Sequence, residues 1–243
     1  MRLLFLVPVY NHPLKIGRVA ANCLAHGFDV LLVDDGSNEE TKRAIAEAAK
    51  RSPDVHVLTL PENGGKGAAV LAGFRWAIER GYTHAFQLDA DLQQDPAAIT
   101  PFIAKATERP AHVICGYPVY NSSVPRARKW GRNVTHFWVA VNTLSFAIRD
   151  SLCGFRIYPL DAVAAWLATS PTVGLRMDFD TDVVVQLYRR GVDVTNLPVG
   201  VDYPEDGISH FHGIENWRIS KMHARNFITM LPQIPKLVMR HFR

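Results

Sequence analysis

The stretch His84-Ala85-Phe86-Gln87-Leu88-Asp89-Ala90-Asp91 runs a short apolar segment straight into two carboxylates one residue apart. Residues 84–88 read as a buried strand, and an acidic pair at such a strand's end predicts a ligand site on the carboxyl edge of a sheet. Three similar runs precede it, at residues 3–9, 29–33 and 56–59, and one follows at 112–115. Helix-period segments lie between them at 14–26, 39–51, 66–80 and 96–108, with Glu39 and Glu40 in one first turn and Asp95 capping before Pro96 in another. Strand and helix alternating at this spacing predict βαβ units, a mostly parallel sheet and right-handed crossovers.

Beyond residue 117 the rhythm breaks. Residues 116–125, with Pro118, Asn121, Ser122, Ser123 and Pro125, read as a loop, and 130–148 as a helix with basic ends. A strand is expected at 155–158, helices near 160–168 and 181–190, and two short strands at 192–197 and 199–203. The chain therefore divides into a body at 1–212, made of a regularly alternating half (1–116) and an irregular half (117–212), and a basic helical tail at 213–243.

The composition excludes several classes. With 48% hydrophobic and 21% charged residues, 243 residues make an ordinary globular core, not a disordered, collagenous or coiled-coil chain. Cys23, Cys115 and Cys153 are odd in number and widely spaced, which fits a reducing cytoplasm better than a disulfide framework. No segment reads as a signal peptide or reaches the roughly twenty apolar residues of a membrane span. The net charge of +4 is unevenly distributed: residues 125–149 hold five basic and no acidic side chains, and 214–243 hold six basic and one acidic. The other 188 residues carry a net −6, so a mildly acidic body bears two segments suited to an anionic partner.

Nucleotide motifs of the commonest kinds fail. Gly65-Lys66-Gly67-Ala68-Ala69-Val70 starts like a dinucleotide fingerprint but ends in Val and follows the third strand; it also lacks the phosphate-loop spacing. A Gly pair and a Lys opening a helix still suit an anion. The pairs Asp34-Asp35 and Asp89/Asp91, with Gln93 at the same spacing, suit a hard cation shared with substrate phosphates.

Together these motifs resemble family 2 glycosyltransferases of the GT-A (Rossmann-like) fold. Pro8-Val9-Tyr10-Asn11, Asp34-Asp35-Gly36-Ser37 and Asn63-Gly64-Gly65-Lys66-Gly67 match the family's first three strand-end motifs. Asp89-Ala90-Asp91-Leu92-Gln93-Gln94-Asp95-Pro96 and Ser151-Leu152-Cys153-Gly154-Phe155-Arg156 resemble the polyprenyl-phosphate (dolichyl-phosphate) mannose synthase branch. The resemblance implies an α/β fold whose mostly parallel sheet is flanked by helices, with amphipathic helices at the carboxyl end. It implies donor contacts from Pro8, Tyr10, Asn11, Asp34, Asp35, Lys66, Asp89 and Ala90, and Mg2+ or Mn2+ held by Asp89, Asp91 and Gln93. Tyr10 could equally be a packed strand-end aromatic.

On the acceptor side the resemblance implies a catalytic acidic residue in Asp178-Phe179-Asp180-Thr181-Asp182, first Asp182 and then Asp180, with Asp91 also catalytic; helix capping explains the same residues. Arg126, Arg128, Arg132 and Arg156 would bind a lipid phosphate, guanidinium forks suiting that group, or the first three form a solvated basic face. Trp130, Val134, Phe137, Trp138 and Val141 put an apolar face on the helix at 130–148, for a membrane interface or for the core. Arg218, Lys221 and Arg225 line one face of the tail and suit anionic lipid. His210 and His212 are either further metal ligands or histidines of a loop over the site. The function implied is metal-dependent, inverting transfer of a sugar from a UDP- or GDP-linked donor to a lipid-linked acceptor, by a cytoplasmic protein peripheral to the membrane. A nucleotidyltransferase is the alternative. A nucleic-acid-binding protein is less favoured, because it leaves the acidic motifs unexplained.

Overall fold

The computed structural model describes residues 1–120, 126–201, 213–240 and 242, with backbone alone for 120, 126–130 and 213–216. Its first half alternates as the apolar pattern requires: β1 (Leu3–Val9), α1 (Ile16–Leu24), β2 (Asp29–Asp34), α2 (Glu39–Lys50), β3 (Val55–Thr59), α3 (Lys66–Glu79), β4 (His84–Gln87), α4 (Ile99–Glu108) and β5 (Val113–Tyr120). Then come α5 (Arg126–Thr143), β6 (Arg156–Pro159), α6 (Leu160–Leu167), α7 (Phe179–Arg189), β7 (Val194–Val201), α8 (Gly213–Met230) and α9 (Ile234–Arg240). Asp95 caps a 3₁₀ turn at Pro96–Ala98, accepting from the Ala97 N–H at 2.9 Å.

The described strands form one sheet in the order β3-β2-β1-β4-β6-β5-β7. Neighbours run parallel except β6, which is antiparallel to both β4 and β5. Both faces are covered, so β1 alternates between two cores: Leu3, Phe5 and Val7 join Phe86, Phe102 and Phe155, while Leu4 and Leu6 join Phe74, Tyr158, Trp166 and Phe179. Because β1, β2 and β4 are parallel, their carboxyl ends lie side by side, and this edge gathers Asp34, Asp35, Asp89 and Asp91.

Three boundaries differ from the sequence expectation. β5 continues to Tyr120 through the segment expected as loop, pairing with β7 along its whole length. The two strands expected around Pro198 are one. β7 is the sheet's last strand, so a proline without an N–H leaves no ladder bond unmade on its open side. The helix expected at 130–148 occupies Arg126–Thr143 and stops where Leu144 turns left-handed (φ 49°).

That helix buries Thr135, Val139, Asn142 and Thr143, and leaves Phe137 63% and Val134 40% exposed. Its apolar face is therefore not its core face. The tail, set apart in the sequence reading, packs onto the body. Met222, His223, Asn226, Met230 and Leu237 are buried. Arg189 of α7 donates to the Asn226 carbonyl at 3.0 Å, and Arg240 to the Val192 carbonyl at 2.9 Å.

His223 sits between α8 and α5, stacked on Trp138 and 3.3 Å from the Asn142 amide. Burial pushes its imidazole down to about 4 from an ordinary 6.5. The unfolded chain thus takes up this proton first as pH falls, so the fold loses stability between pH 6.5 and 4, by about 2 kcal/mol at pH 5. Urea unfolding at pH 7.5 and pH 5 checks this: the acid loss should shrink in His223→Gln, and an equal loss in both proteins would refute it.

Candidate functional site

The site is assembled at the carboxyl ends of β1, β2 and β4, roofed by the start of α7 and the turn before β6. At the end of β2, Asp35 is 2% exposed and holds the turn before α3: its carboxylate accepts from the Gly64 and Gly65 N–H groups and the Asn63 amide, each at 2.9 Å. Burial pushes the Asp35 carboxyl up, against the pull of those bonds. Asp34 accepts from the Ser37 N–H at 2.9 Å. Asn11, left-handed at φ 48° as asparagine tolerates, receives the Asn38 N–H at 2.8 Å and so ties the end of β1 to that of β2. Beside it Tyr10 is 51% exposed, not packed.

Lys66 opens α3 and points back across the strand ends. Its ammonium lies 2.6 Å from Asp89 and 2.7 Å from Asp180 of α7. Burial works against its charge, but the two carboxylates outweigh burial and raise its pKa. Asp180 is 3% exposed and also accepts from Gln87 at 2.7 Å. Burial would raise its carboxyl, yet Lys66 and Arg156 hold it below the usual range. Gln87 is a polar residue inside an apolar strand, a signal that could have placed it here from sequence.

Asp89 also accepts from Gln94 at 3.1 Å, and Asp91 from the Gln93 N–H at 3.0 Å across Leu92, itself left-handed at φ 53°. Such backbone costs about 1–3 kcal/mol and persists only where surroundings impose it. The surroundings here are Gly200, whose carbonyl takes the Asp95 N–H at 2.9 Å, and Lys15, which donates to the Asp91 carbonyl at 2.7 Å. Burial first, and then Asp89, push the Asp91 carboxyl up. Ala90 between them is 8% exposed.

These two carboxylates fit a hard cation by donor chemistry, an all-oxygen pair in which one raises the other's pKa. Among the described residues no three His, Cys, Asp or Glu converge, so further oxygens would come from substrate and water. Gln93 contributes a backbone N–H to this turn. His210 and His212 lie outside the described residues.

Four expected site residues are placed differently. Asp182 is 0% exposed, and its two oxygens accept from the Gly174 N–H (2.8 Å), Gln186 and Asn226 (3.0 Å each), and Arg225. Both of its oxygens are thus engaged within the fold. Arg156, also 0% exposed, does not face an acceptor; it donates to the carbonyls of Ser151 (2.5 Å) and Asp180 and so fixes the entry to α7 beneath Lys66. Arg132 forms a bidentate pair with Asp150 at 2.6 and 2.9 Å. Arg225, expected on the tail's lipid-facing side, turns inward to Asp182. The side chains of Arg126 and Arg128 lie outside the described residues, at the start of α5. Burial works against the Asp150 charge, but His136 and Arg132 hold its carboxyl well below the usual range. Asp150 in turn accepts from the Leu152 and Cys153 N–H groups at 2.9 and 2.8 Å and shapes the turn that ends in Gly154.

The sequence model of glycosyl transferase family 2 matches residues 5–164. A polyprenol monophosphomannose synthase from Mycolicibacterium smegmatis is 30% identical over 222 residues, 87% of this chain and 82% of that protein. An undecaprenyl-phosphate mannosyltransferase from Micrococcus luteus is 29% identical over 220 residues, 88% of each. Among solved structures, glucosyl-3-phosphoglycerate synthase from Mycobacterium tuberculosis with Mn2+, UDP-Glc and phosphoglyceric acid superposes with a TM-score of 0.62 at 14% identity, over 94% of this chain and 78% of that one. A mannosyltransferase from Pyrobaculum calidifontis with GDP-Man and Mn2+ gives 0.59 at 18% identity, over 97% of this chain and 64% of that one. At such identities the likeness shows a shared GT-A fold.

Gly154 marks how tightly the centre is packed. A Cβ there would stand 2.5 Å from the Lys66 ammonium and 3.1 Å from Asp89. Gly154→Ala should therefore destabilise the protein by about 1–3 kcal/mol. Gly131→Ala, on α5 with nothing described within 4 Å, should stabilise it by about 0.5–1 kcal/mol. Urea denaturation of the two variants reads opposite signs if the packing is as described, and the same sign would contradict it.

Proposed function

Because the chain belongs to glycosyl transferase family 2, we propose that it moves a sugar from a nucleotide-sugar donor onto a polyprenyl phosphate. The observation that carries this acceptor is the engagement of both candidate bases: Asp182 is hydrogen-bonded on all sides, and Asp180 is held by Lys66 and Gln87. An alcohol acceptor needs a base to become nucleophilic, whereas a phosphate arrives as an anion. The relatives' names point the same way, being a polyprenol monophosphomannose synthase and an undecaprenyl-phosphate mannosyltransferase. The nucleotidyltransferase alternative has no comparable support.

In this reading Pro8, Tyr10, Asn11, Asp34 and Asp35 form the nucleoside side of the pocket, with Asp35 shaping its floor through the Asn63–Gly65 turn. Lys66, Asp89 and Ala90 face the donor diphosphate. Asp89 and Asp91, with Gln93, would hold Mg2+ or Mn2+, which would neutralise charge on the departing nucleoside diphosphate. Lys66 adds a cation beside Asp89 and is held there by Asp180. The phosphate oxygen of the lipid forms its bond to the anomeric carbon as the bond to the nucleoside diphosphate breaks, in one displacement with inversion.

Arg126 and Arg128, at the start of α5, suit the lipid phosphate, while Arg132 is held by Asp150. The outer faces of α5 and α8 suit an anionic membrane: Phe137 is 63%, Trp217 71% and Ile228 65% exposed, with Lys221 on the same helix as the last two. Among the described residues no helix is long and apolar enough to cross a membrane, so the reading is of a protein that rests on one.

A thermal-shift panel of UDP- and GDP-sugars with and without Mn2+ or Mg2+ tests the donor side. One donor should stabilise the protein only with metal present, and Asp89→Asn should abolish that shift and cut turnover by about 100-fold or more. Stabilisation indifferent to metal, or full activity of Asp89→Asn, would overturn the assignment. Arg128→Ala should raise the KM for lipid phosphate and leave the KM for donor unchanged; the reverse pattern would remove Arg128 from the acceptor site.

A further inference from the structure

Asp182 is a fully buried carboxylate with four hydrogen-bond donors, yet the proposed reaction has no use for it. Besides Gln186 of its own helix, its partners come from two other segments. One side receives Arg225 and the Asn226 amide from α8, forty-three and forty-four residues along the chain. The other receives the N–H of Gly174, in the segment between α6 and α7.

That segment lies directly on the donor-pocket turn. The Leu175 carbonyl takes the Ala68 N–H at 3.2 Å, and Arg176 donates to the side-chain amide oxygen Oδ1 of Asn63 at 3.1 Å. Gly65, at φ 96°, lets the segment approach so closely that a Cβ there would stand 2.6 Å from the Leu175 carbonyl. Asn63 in turn donates to Asp35 at 2.9 Å. Hydrogen bonds, with the main chain from Gly174 to Arg176 between them, thus lead from α8 through Asp182 to Asn63 and Asp35.

We propose that Asp182 is a positioning residue that clamps residues 174–176 onto the Asn63–Gly65 turn, so that donor affinity depends on how α8 is seated. The inference rests on the reading of Asp35 and its turn as donor-binding. It gives the tail a second task, since the helix whose outer face exposes Trp217 and Ile228 also holds the pocket in shape. Loosening α8 would free Gly174, let Arg176 leave Asn63, and cost the turn the order on which a nucleotide depends.

The test measures Kd for UDP and GDP with Mn2+, and amide exchange at Gly174, Gly64 and Gly65, in the full chain and in Asp182→Asn, Arg225→Met and the double variant. Arg225 is partly exposed, so its variant keeps the test readable should Asp182→Asn fold poorly. Either single change should weaken nucleotide binding about fivefold or more, speed exchange at all three amides and leave kcat at saturating donor within about twofold. The double variant should be no weaker than the worse single one, the mark of one shared interaction. An unchanged Kd and unchanged exchange with a collapsed kcat would make Asp182 catalytic and overturn the proposal. Should the unaltered protein bind neither nucleotide, the donor reading fails, and exchange alone decides: faster exchange upholds the clamp, unchanged exchange refutes it.

Discussion

The Lys66 ammonium, set between Asp89 and Asp180, is the interaction around which the rest of the site is built. It joins three parts of the fold distant in sequence: the first turn of α3, the end of β4 and the start of α7. A partly buried cation facing two carboxylates needs each of them supported, or one becomes an unpaired charge in a poorly solvated place. The supports are on hand. Gln87 and Arg156 hold Asp180, Gln94 holds Asp89, and Gly154 leaves the room that the ammonium occupies.

From that constraint the chemistry follows. A carboxylate already paired with an ammonium is a weak proton acceptor, and Asp180 is held below its usual pKa for that reason. In the proposed reading the site is charge arranged to meet other charge: a lysine for a diphosphate, two carboxylates for a hard cation, and Arg126 and Arg128 for an anionic acceptor. Such an arrangement serves displacement of one phosphate-bearing group by another and serves activation of an alcohol poorly.

Much of this was legible in the sequence because its signals are local. The five apolar runs of the first half, the acidic pairs at their ends and the glycines before Lys66 each fall within a few residues, and the expected α/β sheet follows from their spacing. The Asp95 cap was legible too. Less legible were features decided by partners far along the chain. Arg156 sits in a motif that suggests phosphate, but carbonyls of Ser151 and Asp180 take it first. Asp182 sits in an acidic cluster that suggests a base, but an arginine forty-three residues later neutralises it. Two strands were expected on either side of Pro198 because nothing local says that β7 lies at the sheet's edge. The aromatic face of α5 was visible, and only the exposure of Val134 and Phe137 shows that it is not the core face.

The central claim is that the nucleophile is an anion needing no base. It is tested most directly by offering the protein one nucleotide-sugar donor with either a polyprenyl phosphate or the matching free polyprenol, and identifying the products by mass spectrometry. The account predicts a glycosyl phosphate lipid from the first and no glycoside from the second. Comparable transfer to the alcohol, or transfer to the alcohol alone, would contradict it.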